Sequence, residues 1–459
     1  MKAIESREKK QERRTLKTMR DMTKGRAINN IICHAFPIII GAWLQLGYNA
    51  VDSIIVGRFI GQNALASEGT ASPVLNLLTL FVSGLTIGAG ILLGEAFGRE
   101  DDKRFKSVLS SLLILGTAFS LLVTIFGIVF INKILLFLGT PNEINEMTKV
   151  YLALSLTSLP FTFIYNSLAS ALKSVGDSKT PLYFLIITSI LNAALDLFFI
   201  GYLGYGIVCS ALTTVVSVVL SAFLSLFYMI KKQKLLFPSF SELRVNKTEA
   251  IDIVKYGLPT ALQQALQPIG KLFIQVAINT LGVVGIASYQ IGAQIDAFAL
   301  IPEQSISSSC SIFIAQNRGK ERFDRIKSGY LSALSLEVLY WLFFSSLLLF
   351  TRNRVVSLFV KNSNEIVQSG SEYLFYMAFF YILPGLTNVT QGYFRGWGKT
   401  GVTLLGTLTQ IGLRTILTFV LLPLYGIKGI AFASAIGWIG MLVWELPYLC
   451  IHLRRVKCK

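Results

Sequence analysis

Charge is what this sequence has least of: of its 459 residues, 15% are Asp, Glu, Lys or Arg, where soluble globular domains carry about 25%. It holds two histidines and five cysteines. The cysteines (Cys33, Cys209, Cys310, Cys450 and Cys458) form no CxxC pair, so free thiols are expected rather than disulfides or a zinc centre. No Walker A, GxSxG or HExxH stretch occurs, which gives no support to an enzyme. Polar linkers of the kind that separate soluble domains are also missing.

What remains is apolar: 53% of the residues are hydrophobic and the mean hydropathy is +0.60. Long apolar runs alternate with short basic loops, and a polytopic all-α membrane protein is predicted. Twelve spans are placed at about 31–57, 64–94, 107–130, 147–170, 181–203, 206–230, 251–281, 284–315, 328–351, 366–390, 401–423 and 428–451; each is long enough to cross a core of about 30 Å. The first 26 residues mix both signs and read as a solvated tail, with no short apolar signal core before the first span.

The net charge of +17 follows this topology. One side holds both tails and the loops at 95–106, 171–180, 231–250, 316–327 and 391–400, with 32 Lys and Arg residues. The other side holds seven, from Arg58 to Lys428. That excess marks the first side, with both termini, as cytoplasmic, and removes the reason to invoke a nucleic acid. The expected organisation is a basic tail over 1–30, helices one to six over 31–230, a cytoplasmic linker over 231–250, helices seven to twelve over 251–451, and a basic tail over 452–459.

The two sets of six helices share landmarks at a nearly constant offset. Pro37 and Pro259 are 222 apart, Gly61 and Gly282 are 221 apart, as are Gly98 and Gly319, and Gly176 and Gly398 are 222 apart. "GIVCSALTT" from Gly206 and "GIKGIAFAS" from Gly426 are 220 apart. Five matches in one order indicate duplication. Six spans per half make the repeats parallel, an arrangement in which sites lie near the midplane and access alternates by rocking of the halves.

Ionisable groups inside a membrane are functional candidates, because each costs about 2.5–3.5 kcal/mol to insert. Gln45, Asn49 and Asp52 share one face of the first helix, with Tyr48 beside them. Asn192 and Asp196, four apart, share a face of the fifth, and Thr214 lies on the sixth. Two carboxylates, an amide and a hydroxyl form an oxygen set suited to a small cation or a proton. At an offset of 222, Ile274, Arg414 and Thr418 stand opposite Asp52, Asn192 and Asp196, so the expected ion site belongs to the first half alone. The second half carries Gln263, Gln267, Lys271, Gln275 and Asn279 on one side of the seventh helix, with Asp296 and Glu303 seven apart on the eighth. These read either as a polar cavity wall for substrate or as salt bridges between Lys271 or Arg414 and the two acids. Glu372 and Glu445 read as interfacial, and His34 as a packed or hydrogen-bonded histidine.

The chain resembles the multidrug and toxic compound extrusion family, in the superfamily of multidrug, oligosaccharidyl-lipid and polysaccharide exporters, over roughly residues 30–452. The resemblance rests on "YNAVDSIIVGRFIGQNALA", "GLTIGAGILLGEAFGRED", "ALKSVGDSKTP", "GLP" at Gly257–Pro259 and "LIPEQSISSSCSIFIAQNRGKE". It implies a twelve-helix monomeric antiporter of the bacterial inner membrane, without cofactor, that exchanges H⁺ or Na⁺ for amphipathic, cationic drugs in contact with membrane lipids. The pattern is similar to the branch named for DNA-damage-inducible protein F, whose ion-coupling positions fall on Asp52, Asn192, Asp196 and Thr214. The seventh-helix Glu of the other main prokaryotic branch is replaced here by Gln263, Gln264 and Gln267. A lipid-linked oligosaccharide flippase of the same superfamily is the alternative; its arginine-rich cavity is not matched, since only Lys271 and Arg414 are clearly internal cations. A membrane enzyme or a channel is the reading from another class.

Overall fold

The structure, a computed structural model, describes residues 20–360 and 363–457. Cys458 and most of the expected N-terminal tail lie outside the described residues. Within them the chain is helical almost throughout. The first half contains α1 (Ala27–Ile55), α2 (Gln62–Gly98), α3 (Asp102–Val129), the short α4 (Ile131–Phe137), α5 (Asn142–Leu156), α6 (Leu159–Ser174), α7 (Lys179–Asp196) and α8 (Ile207–Lys232). The second contains α9 (Lys247–Ile278), α10 (Gly282–Gly319), α11 (Phe323–Ser357), α12 (Asn364–Phe380), α13 (Ile382–Gly396), α14 (Thr400–Tyr425) and α15 (Ile427–Lys457).

Among the described residues, ten segments are long and apolar enough to cross a membrane. The helices differ from the expected spans in three places. Lys247–Gly319 is one continuous stretch of 73 residues, divided only by a 3₁₀ turn at Asn279–Leu281. The span expected at 366–390 is two shorter helices, α12 of 17 residues and α13 of 15, which meet at Tyr381 just before Pro384. The span expected at 147–170 is broken likewise, between α5 and α6, with Pro160 in the first turn of α6. In both places proline, lacking an N–H, suits a new helix start better than an interior. Phe126, Phe223, Phe343 and Val443 stand exposed on the outer surface, an apolar skin that lipid would cover.

The backbone repeats as the sequence landmarks do. Positive φ occurs at Gly61 and Gly282, Gly176 and Gly398, Gly204 and Gly426, and at the non-glycine pair Glu100 and Glu321, both at 59°. Each pair marks the same turn in the two halves.

The basic-loop side is tightly closed. A Cβ at Gly98 would lie 2.0 Å from the Gln316 carbonyl oxygen, and one at Gly319 2.2 Å from that of Glu95. Glu95 accepts from Arg318 across this contact and pairs with Arg99 at 2.6 Å. Arg104 reaches Glu249 at 3.4 Å and Asp252 at 3.3 Å. Residues 20–26 are not a solvated tail: Met22 is 0% exposed, and its N–H donates to Gln316 Oε1 at 2.9 Å. The 231–250 loop is docked too. Ser110 Oγ donates to the Arg244 carbonyl at 3.0 Å, and the Ser239 backbone N–H and the Lys106 ammonium hold the Glu242 carboxyl down at about 2. A carboxyl lowered in the folded state stabilises above its ordinary 4.5 and loses that contribution as pH falls toward 2.

Gly98→Ala is therefore expected to push the two helix ends apart, an overpacking worth about 1–3 kcal/mol. A cysteine placed at Ser174, whose carbonyl accepts from Gln316, should then react faster with a membrane-impermeant thiol reagent. An unchanged rate would show that the contact is slack.

Candidate functional site

The site builds on α1 and α7, which run side by side: a Cβ at Gly41 would touch Leu182 and Leu185 at 3.5 Å. Asp52 lies three residues before the end of α1, where the helix widens to π winding over Val56–Ile60. Asp196 is the last residue of α7, and π winding follows over Leu197–Tyr202. Both acid-bearing helices thus change pitch just past the carboxylate, a device that re-aims side chains and recurs at functional sites.

Asp52 is 9% exposed, and Asn192 and Asp196 are fully buried. The Asp52 and Asp196 carboxyls are in contact. Thr213 donates its hydroxyl to Asp196 Oδ1, and Asn192 Nδ2 donates to Thr214 Oγ1 at 3.5 Å. Asp52 Oδ1, Asn192 Oδ1 and Asp196 Oδ2 are left buried without a hydrogen-bond partner. Buried acceptor oxygens left unsatisfied can be satisfied by a cation or by a proton held between carboxylates. Among the described residues no group of three His, Cys, Asp or Glu side chains forms a metal site.

Sequence reasoning missed two members of this cluster. Thr213, not its neighbour Thr214, bonds the carboxylate. Glu68 on α2 accepts from Ser53 Oγ at 2.9 Å, with its other oxygen buried and unpartnered; a carboxylate four residues into the expected second span was the available signal. Tyr48 bonds Thr214, whereas Gln45 and Asn49 are exposed on α1. A cavity of about 570 Å³ opens beside the cluster, lined by Leu195, Phe199, Cys209, Leu212, Thr213 and Val216. His34 is packed and hydrogen-bonded, with Ser309 Oγ at 2.9 Å and the Lys173 carbonyl at 3.0 Å, and so ties α1 to α10.

The second half departs further from its sequence reading. Gln263 is buried, with Nε2 donating to Gln391 Oε1 at 2.8 Å and Thr407 Oγ1 at 2.9 Å, so it braces α9 against α13 and α14 and lines no open surface. Asp296 accepts from the hydroxyls of Tyr373, at 2.6 Å, and Tyr381. Neither Asp296 nor Glu303 forms a salt bridge with Lys271 or Arg414 among the described residues. Glu303 is buried at 1% exposure, near Glu337 of α11, so it is no cavity wall in this conformation. Gln267 and Lys271 are exposed and Arg414 is half-buried. Glu445 is not interfacial: it is fully buried, with both oxygens unpartnered. Glu372 pairs with Lys428 at 2.8 Å on the surface.

Glu337 also has both oxygens buried and unpartnered, as is Glu303 Oε2. Two carboxylates so placed repel unless they hold a proton between them. Glu337→Gln removes one of two neighbouring buried carboxyls and is expected to stabilise the protein by about 1 kcal/mol. The check is a melting curve in detergent, where a midpoint below wild type would refute the pairing.

The protein family described as MatE matches this chain over residues 37–198 and 259–420. Probable multidrug resistance protein YoeA of Bacillus subtilis (strain 168) is 29% identical over 299 residues, spanning 63% of this chain and 64% of that protein. Probable multidrug resistance protein YpnP of the same organism is 27% identical over 429 residues, 91% of this chain and 94% of that one. An outward-facing multidrug resistance transporter of the MATE family and MOP superfamily superimposes with a TM-score of 0.88 at 22% identity, covering 96% of this chain and 99% of its own.

Proposed function

The chain belongs to the MatE family, whose members are transport proteins and not catalytic enzymes, and from that membership we propose that it is a cation-coupled antiporter exporting small amphipathic compounds. The observation that supports the reading is the contact between the Asp52 and Asp196 carboxyls, with one unsatisfied buried oxygen on each and another on the nearby helix position Asn192. We read this cluster as the site that loads H⁺ or Na⁺. Loading changes the local charge and biases a two-state equilibrium, provided the ion binds one state more tightly than the other. The acids at Asp52, Asp196 and Glu68 favour compounds that carry a positive charge, in line with the multidrug names of the relatives.

The same reading takes the chain as twelve crossings in two six-helix lobes. The 73-residue stretch then counts as two crossings and α12 with α13 as one. Both termini lie in the cytoplasm of a bacterial cell, and the protein works as a monomer in its inner membrane. We read the Asp, Asn-x-x-x-Asp and Thr set as that of the branch named for DNA-damage-inducible protein F. On this reading the conformation, closed on the basic-loop side, is taken as the outward-facing one.

The test is counterflow in proteoliposomes, with pH and Na⁺ gradients imposed separately and a panel of fluorescent cationic dyes. One gradient should drive dye movement and the other should not. Dye movement indifferent to both gradients would exclude coupling.

A further inference from the structure

A cation inside a membrane is expensive to hold and is ordinarily paired. Lys271 on α9 and Arg414 on α14 depart from this. The two helices cross closely, a Cβ at Gly270 lying 2.8 Å from Ile411 Cγ2, which brings the neighbouring Lys271 and Arg414 to the same crossing. Both cations face Asp296, but its two oxygens are already taken by Tyr373 and Tyr381. Neither cation forms an ion pair among the described residues. Arg414 Nε is buried without an acceptor, and Lys271 is exposed. One carboxylate between two cations leaves one positive charge unbalanced.

The surrounding side chains do not neutralise it. Gln275 Nε2 donates to Asn279 Oδ1, and Gln290 Nε2 to Gln275 Oε1, both at 2.9 Å. These carboxamides form an uncharged wall beside the pair. Tyr289 lies near the Arg414 side chain and adds a ring. Guanidinium and ammonium together, with an open donor on each, match an oxyanion: a carboxylate, sulfonate or phosphate.

We propose that Lys271 and Arg414 bind an acidic group of the transported compound. This inference rests on the antiporter reading and sharpens its substrate class: the exported amphiphile carries an oxyanion besides any cationic centre. A matched dye pair isolates that group. Rhodamine 110 has a free carboxyl group, and rhodamine 123 is its methyl ester.

The experiment uses the full chain in phosphatidylcholine liposomes, with uptake of each dye measured under the driving gradient. Wild type should favour the free acid. Lys271→Gln and Arg414→Gln should each lower the ratio of rhodamine 110 to rhodamine 123 uptake about tenfold, the effect of losing one charge-assisted contact, and Lys271→Arg should restore most of it. Binding of rhodamine 110 to the purified variants, followed by fluorescence polarisation and paired with a melting curve, separates lost recognition from lost folding. An unchanged uptake ratio in both glutamine variants would overturn the proposal. So would loss of rhodamine 110 binding when phosphatidylglycerol is added, which would make a lipid headgroup the occupant. If wild type moves neither dye under either gradient, it is the antiporter reading that fails.

Discussion

Asp52→Asn is expected to reduce gradient-driven export to the level of protein-free liposomes while the melting temperature stays at or above that of wild type. The two effects separate because the carboxyl does opposite things for stability and for function. As a side chain, Asp52 touches another carboxyl, that of Asp196, and leaves Oδ1 buried without a donor. An amide fills the same volume and offers an N–H to Asp196 Oδ2, so the packing loses nothing and one unsatisfied acceptor is removed. An amide cannot change its charge, however, and an ion cannot bias a conformational equilibrium through a group with which it has no differential interaction. Strain and unpaired charge retained at a working site are a common form of the exchange between stability and activity. The measurement pairs dye counterflow with thermal melting of the same preparation. Wild-type counterflow would end the proposed role of Asp52, and a large drop in melting temperature would make the residue structural.

How much of this was legible beforehand depends on distance along the chain. Asn192 and Asp196 share a helix face, and four-residue spacing reveals such pairs directly. Their grouping with Asp52 across two helices can only be inferred from the rarity of acids in apolar runs; in the structure Asp52 lies beside Asp196, while Asn192 bonds Thr214. Thr213 was hidden by its neighbour: in "ALTTV" either threonine can face α7, and the choice depends on helix rotation after the π segment. Glu337 and Glu445 went unweighed or misread because sequence does not tell a lipid-facing or interfacial acid from one turned into the bundle. The tyrosines that occupy Asp296 come from α12 and the α12–α13 break, 77 and 85 residues away, beyond any local pattern. Helix positions were read well because hydropathy fixes them. The breaks at α5–α6 and α12–α13 were overrun because an apolar run continues through them.

The asymmetry between the halves gives the second large effect. Asp196→Asn is expected to abolish the ion dependence of transport or strongly impair it, and Asn192→Ala to weaken it. Thr418→Ala, at the position equivalent to Asp196, should leave it nearly intact. Thr418 is fully buried, but its hydroxyl donates back to the Arg414 carbonyl at 2.7 Å, within its own helix. Glu303→Gln is the sharper control. Glu303 is an acid about as buried as Asp196 and also lies near a second carboxyl, Glu337, yet no π segment follows it in α10. If buried paired acids were sufficient for coupling, both variants would lose it. If coupling needs the pair at the ends of α1 and α7, where each helix changes pitch, only Asp196→Asn will. Ion dependence should be measured as the ratio of dye uptake with and without the driving gradient. Loss of that ratio in Glu303→Gln with its retention in Asp196→Asn would transfer coupling to the second half, and loss in both would mean that the ion site spans the halves and that the change of pitch past Asp52 and Asp196 is incidental.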